Sequence, residues 1–234
     1  MTNIVILGDG LLGSELKKLT NWDVISRRIS KFDISNPNSF SSFLRDYDII
    51  INCIANTNTY SDDSSHYQVN YKFVVDLVDY ANKENKKIIH ISTGYIYQNN
   101  NNSPSESDFP MYQSTKYAYY KNLADEYIKI KSKDYIIIRS IHKPNPFPYM
   151  VAFEDHYGNF SYVNEVCDFI IDCITMGLSG IYNVGRDFMS IFEFAKITNL
   201  HVKSGKKPDY IPKKIQYNCD KYKNYLIEKH NISR

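Results

Sequence analysis

Tyr112 and Lys116 stand four residues apart where a polar loop gives way to a helical pattern, in the run Tyr112-Gln113-Ser114-Thr115-Lys116. Side chains at that spacing share one face of a helix, so the lysine ammonium can sit beside the phenol and lower its pKa from about 10. A tyrosine so placed donates a proton near neutral pH. Upstream, the apolar run Lys87-Ile88-Ile89-His90-Ile91 leads into Ser92-Thr93-Gly94-Tyr95-Ile96-Tyr97. The Thr93 hydroxyl at the end of that strand could hydrogen-bond the same substrate oxygen and hold it in place. Thr93, Tyr112 and Lys116 are therefore the candidate catalytic residues. Packing is the competing role for Tyr112, because Tyr119, Tyr120, Leu123, Tyr127 and Ile130 continue along one side of the same helix.

Such a site needs elements that hold it. Ile4-Val5-Ile6-Leu7 is a short β-rich run that ends at Gly8-Asp9-Gly10-Leu11-Leu12-Gly13, after which Leu12, Leu16 and Leu19 fall on one helical face. Between a strand and a helix, glycines at this spacing suit a dinucleotide. The first permits the tight turn, the second lets a pyrophosphate approach the backbone, and the third lets helix pack on strand, with phosphate at the helix N-terminus. The next strand, Trp22-Asp23-Val24-Ile25, runs into Ser26-Arg27-Arg28. An acidic residue here would bind a ribose 2′-hydroxyl, whereas arginine accommodates a 2′-phosphate, so the pattern favours NADP over NAD; two solvated surface arginines are the alternative. Lys31-Phe32-Asp33-Ile34-Ser35 reads as a third short strand end whose Asp33 could face the adenine. The apolar run Asp48-Ile49-Ile50-Ile51-Asn52-Cys53-Ile54-Ala55 reads as a strand buried on both faces, its end over the cofactor. Thr57 just beyond could reach a substrate or be a plain loop residue.

A helical segment over residues 65–84 leads to the strand before Thr93, and Tyr135-Ile136-Ile137-Ile138-Arg139-Ser140 is another buried strand. Strands and helices alternate throughout, which predicts an α/β fold with a Rossmann-like, doubly wound parallel sheet. His142-Lys143-Pro144-Asn145-Pro146-Phe147-Pro148 breaks the pattern. We expect a main domain over 1–140 and a small substrate-binding lobe over 141–234, with a helix near 163–176 returning to the main domain. Gly180 to Gly185 reads as the last strand, and the tail from Lys203 as polar and Lys-rich.

The 28 Lys and Arg against 26 Asp and Glu, a net charge of +2, are scattered rather than clustered, which argues against a nucleic-acid partner. The apolar start is far too short to span a bilayer and has no cationic segment before it, so no membrane partner and a cytoplasmic location are expected. Cys53, Cys167, Cys173 and Cys219 form no C-x-x-C pair and no histidine stands at metal-ligand spacing, so no metal site is expected.

Taken together, Gly8 to Gly13, Asp33-Ile34-Ser35, Asn52-Cys53-Ile54-Ala55, Ser92 to Tyr97, Tyr112 to Lys116, Arg139-Ser140, Gly180 to Gly185 and Asn218-Cys219-Asp220-Lys221 resemble the extended short-chain dehydrogenase/reductase family. Within it they are similar to dTDP-4-dehydrorhamnose reductases and other nucleotide-sugar 4-keto reductases. The resemblance implies Tyr112 as general acid to the carbonyl oxygen, Thr93 orienting that oxygen, and Lys116 on the nicotinamide ribose. It implies NADPH contacts from Gly8, Gly10, Leu11, Leu12, Gly13, Ser26, Arg27, Arg28, Asp33, Ile34, Cys53, Ile54, Ala55 and Ser140, and substrate contacts from Thr57 and Tyr95. The implied substrate is a dTDP- or UDP-linked 4-keto-6-deoxy sugar, a 2-acetamido analogue included. Gly94-Tyr95 follows Thr93 where dehydrating relatives carry an acidic pair, and Tyr95 stands where epimerising relatives carry cysteine; both point to reduction alone. A homodimer is common in the family, and nothing in the sequence demands it. A non-catalytic NADP-binding regulatory subunit and a reductase of a non-sugar carbonyl are the competing readings.

Overall fold

The computed structural model describes residues 2–58, 61–98, 102–110 and 115–232. The chain folds into two compact units, one of residues 1–92, 114–137 and 167–180, the other of 93–113, 138–166 and 181–234. The return near 163–176 expected from sequence falls partly in the first unit, and residues 93–113 belong to the second.

In the first unit β1 (Ile4–Leu7), β2 (Asp23–Ile25), β3 (Ile49–Asn52) and β4 (Lys87–Thr93) pair in parallel in the order β2-β1-β3-β4. Val5 lies opposite Asp23 and Ile50, and Ile51 opposite Ile89. All four residues of β3 are buried, as an isoleucine run between two helical layers requires. Helices α1 (Leu11–Leu19), α2 (Arg27–Ser30), α3 (Phe40–Leu44), α4 (Asp63–Tyr67), α5 (Phe73–Lys83) and α6 (Lys116–Lys131) separate or follow the strands. This is the Rossmann-like α/β fold that the alternation predicts. The start of β5 (Tyr135–Lys143) also belongs here, as does the part of α7 (Val163–Thr175) from Cys167, whose thiol donates to the Leu12 carbonyl at 3.8 Å.

One expectation is corrected in this unit. Residues 31–35 are not a strand. The Asp33 carboxylate accepts from both the backbone N–H (2.9 Å) and the hydroxyl (2.7 Å) of Ser35, which closes a turn in place of a ladder. Phe32, wholly buried, anchors that turn against the rings of Phe40, Phe43 and Phe73. The aromatic side of α6 packs at the surface of the unit. Tyr119 and Ile130 are exposed, while Ala118, Lys121, Asn122, Ala124, Asp125 and Ile128 are buried. The tyrosines pack edge to face on one another, Tyr119 on Tyr120 and Tyr120 on Tyr67, so aromatic content marks the outer face.

The second unit continues β5 and adds β6 (Val151–Phe153), β7 (Tyr157–Gly158), β8 (Phe160–Tyr162), β9 (Gly180–Val184), β10 (Met189–Ser190), β11 (Lys203–Gly205) and β12 (Lys214–Ile215), with α8 (Ile191–Lys196) and α9 (Asp220–Ile232). Three short strands thus follow β9, and a helix forms in the Lys-rich tail. β8 and β9 both pair with β5, Ile141 lying opposite Phe160. Ser190 and Glu193 form a capping box at the start of α8. The core gathers Ile96, Tyr97, Phe160, Tyr162, Phe194 and Tyr217, and the buried Arg139 donates to the Tyr97 hydroxyl at 2.5 Å. Among the described residues no helix is long and apolar enough to cross a membrane.

The turn from β1 into α1 rests on close approach. Gly8 has φ +98°, and a Cβ on Gly13 would stand 2.0 Å from the Gly8 carbonyl oxygen. Gly13→Ala is therefore expected to push α1 off β1 and cost about 1–3 kcal/mol, read as a lower urea midpoint at unchanged slope.

Candidate active site

A cleft of about 840 Å³ opens in the first unit over the C-terminal ends of β1, β2 and β3. Gly8, Gly10, Ser26, Arg27, Asp33, Ile34, Cys53, Ile54 and Ala55 line it, all of them residues singled out from sequence. Asp9, Lys31, Phe32, Ser35 and Val69 line it as well. A Cβ on Gly10 would meet nothing within 4 Å, so the loop before α1 leaves its front open. The first amides of α1 have no partner inside the helix, and an open backbone turn at a helix start suits a diphosphate. The two arginines take different places. Arg28 Nε donates to the Asp9 carboxylate at 2.8 Å, and the Ser26 hydroxyl donates to the same oxygen at 3.0 Å. Arg27 is left facing the cleft with Lys31. Leu11, Leu12, Gly13 and Arg28 do not line the cleft; Leu12 and Gly13 are buried under α1.

The loop after β3 is tied down by amides. Asn56 N donates to Asn70 Oδ1, and Asn70 Nδ2 donates to the Asn56 carbonyl, each at 2.8 Å. Asn70 sits in a π-helical turn, Gln68–Lys72, between α4 and α5. That extra residue brings Val69 to the cleft and the buried Asn70 to the loop. Thr57 is exposed on this loop.

Tyr112 lies outside the described residues. Lys116 begins α6 with its side chain 60% exposed and its amine 3.3 Å from Asp63. One and a half turns later, Lys121 is 1% exposed. Its amine donates to the Ile91 carbonyl at 2.7 Å and meets His90 Nε2 at 2.9 Å. Burial pushes its pKa down to about 8, against an upward pull from Asp125 one turn along the helix and from Cys53 in the cleft wall. Asp125 is buried too and accepts from the Ser92 hydroxyl at 2.8 Å. Burial and the Lys121 charge hold His90 well below its ordinary pKa. Tyr117, four residues before Lys121, is half-buried with its ring 6.4 Å from that of His66.

The remaining predicted residues belong to the second unit. Thr93 Oγ1 accepts from the Tyr95 backbone N–H at 3.2 Å and so caps the short helix Gly94–Tyr97. Tyr95 packs against that unit's core. Ser140 is buried with its hydroxyl 3.0 Å from His142 Nδ1, and it is not among the residues lining the cleft.

The family model described as the RmlD substrate binding domain matches residues 1–141. The chain belongs to this family. It is 25% identical over 223 residues to the spore coat polysaccharide biosynthesis protein SpsK of Bacillus subtilis, covering 83% of this chain and 77% of that one. It is 32% identical over 107 residues to dTDP-4-dehydrorhamnose reductase of Aggregatibacter actinomycetemcomitans, covering 42% of this chain and 36% of the relative. Among solved structures, dTDP-4-dehydrorhamnose reductase of Bacillus anthracis in complex with NADP superposes with a TM-score of 0.78 at 21% identity, covering 96% and 92% of the two chains. The Clostridium acetobutylicum ortholog gives 0.80 at 19%, covering 96% and 93%.

In this RmlD-family chain the Tyr-x-x-x-Lys spacing falls at both Tyr112/Lys116 and Tyr117/Lys121 around the start of α6. The two lysines differ in helical phase. Lys121 shares its stripe with Ala118, Asp125 and Ile128, all buried, whereas Lys116 points to solvent. The unfolded chain keeps the ordinary lysine pKa of 10.5, and folding lowers it to about 8. Between those values the unfolded chain binds the extra proton, so the folded state gains stability as pH rises through the window. Unfolding free energy measured relative to Lys121→Met, which isolates this group, is expected to climb by on the order of 3 kcal/mol from pH 8 to 10.5. A flat difference would show the amine charged throughout.

Proposed function

We propose that the protein reduces, with NADPH, the C4 keto group of a nucleotide-linked 4-keto-6-deoxy sugar of the dTDP- or UDP-4-dehydrorhamnose type, a 2-acetamido analogue included. The observation that carries this reading is a buried lysine amine four residues after a half-buried tyrosine, in the same unit as an open glycine-loop cleft. The names of the relatives support it, since three are dTDP-4-dehydrorhamnose reductases and one of the solved structures holds NADP.

The cleft suits the cofactor by its chemistry. The loop from Gly8 and the start of α1 would hold the diphosphate, the Ile54 and Ala55 wall the nicotinamide side, and Arg27 with Lys31 a 2′-phosphate. The bound nicotinamide supplies the hydride. Tyr117 then gives the carbonyl oxygen its proton, which completes the hydroxyl. The charged amine of Lys121, on the same helical face, stabilises the phenolate that remains and makes the phenol a better acid.

The test is a panel of nucleotide 4-keto-sugars with NADPH or NADH, following loss of reduced cofactor. Tyr117→Phe is expected to lower turnover about 10²–10⁴-fold with NADPH binding kept, and Tyr112→Phe to leave it within a fewfold. The reverse outcome returns the chemistry to Tyr112 and Lys116; no turnover on any keto-sugar overturns the reductase reading. Arg27→Ala should weaken NADPH about tenfold and leave NADH unchanged, as titration of the protein's fluorescence would read.

A further inference from the structure

Asn52, His90 and Lys121 form a continuous buried chain, the first two wholly enclosed. Lys121 Nζ meets His90 Nε2 at 2.9 Å, His90 Nδ1 meets Asn52 Nδ2 at 3.2 Å, and Asn52 Oδ1 accepts from the Ile54 backbone N–H at 3.1 Å. Ile54 lines the cleft. A neutral imidazole has one donor nitrogen and one acceptor, and burial keeps His90 neutral. With Asn52 Oδ1 held by Ile54, its Nδ2 donates to Nδ1. The ring proton is then on Nε2, and Lys121 must accept it, which only a neutral amine can do. A charged Lys121 has no lone pair, so it requires Nε2 to accept and the ring proton to move to Nδ1. Asn52 must then turn its oxygen toward His90, which releases the Ile54 N–H into the cleft.

We propose that His90 and Asn52 are positioning residues that couple the charge of Lys121 to the Ile54 amide in the cleft wall. Each charge state of the lysine has its own arrangement in which the Lys121–His90 and His90–Asn52 hydrogen bonds are both made, and the two differ in whether Ile54 is free to donate. The groups facing Lys121 are Asp125 on its own helix, His90 on β4 and Cys53 after β3, with Cys167 of α7 beyond Cys53; both thiols are held protonated by burial. The charged state frees the amide, so a ligand that accepts from Ile54 binds better below the Lys121 midpoint and, by reciprocity, raises that midpoint.

The experiment is a ¹⁵N NMR titration of the unliganded protein from pH 6.5 to 9.5, following the His90 ring nitrogens and the Ile54 amide. The expected result is a change of ring tautomer from Nδ1–H to Nε2–H and a shift of the Ile54 amide, sharing one midpoint near pH 8; both changes are lost in Lys121→Met. One tautomer across the range, or an Ile54 amide that does not move with it, overturns the coupling. A second arm titrates NADPH itself at the two ends of the range, on the reading of the cleft given above. Affinity is expected to be about twofold to tenfold higher at the low end, and Asn52→Leu to narrow that ratio. No NADPH binding at either end, with the tautomer change present, overturns the cofactor reading and leaves the coupling standing.

Discussion

Burying the amine of Lys121 is the constraint around which the first unit is arranged. An ammonium taken out of water is costly unless it is hydrogen-bonded and faces opposite charge. Here the Ile91 carbonyl accepts from the amine, His90 Nε2 lies within hydrogen-bond distance of it, and Asp125 supplies the field. Those partners sit on β4 and α6, so the helix phase and the strand end are set by one contact. The residual imbalance leaves the lysine titrating within reach of neutral pH, which is where a group that tunes a neighbouring phenol is useful.

The cleft is shaped by backbone approach and by polar side chains turned inward. α1 lies so close to β1 that only glycine fits at position 13. The loop after β3 is fixed by the reciprocal Asn56–Asn70 pair, and the turn at Asp33 by its own carboxylate and the Phe32 anchor. Asp9 would place a bare carboxylate in the lining of the cleft. Ser26 and Arg28 bind it instead, and Arg27 alone of the two arginines faces the cleft.

Much of this was legible in the sequence. The isoleucine runs, the leucine spacing of α1 and the glycines at 8, 10 and 13 are local patterns, and local sterics carry them directly into strand, helix and turn. The supposed strand at residues 31–35 failed because a side chain took the hydrogen bonds that a ladder would have used. The tyrosines of α6 do pack, with their faces against each other at a surface.

The residues of this chain by themselves determined the alternating α/β order, the glycine turn and the chemistry of a tyrosine and a lysine four apart, because each depends on neighbours within a turn or a strand. Which lysine is buried could not be read that way. Two adjacent pairs offset by five residues have equal spacing and similar composition. The tertiary structure distinguishes the two lysines because burial is a property of the helix face laid on β4, and that face carries Lys121 while Lys116 turns to Asp63 and water.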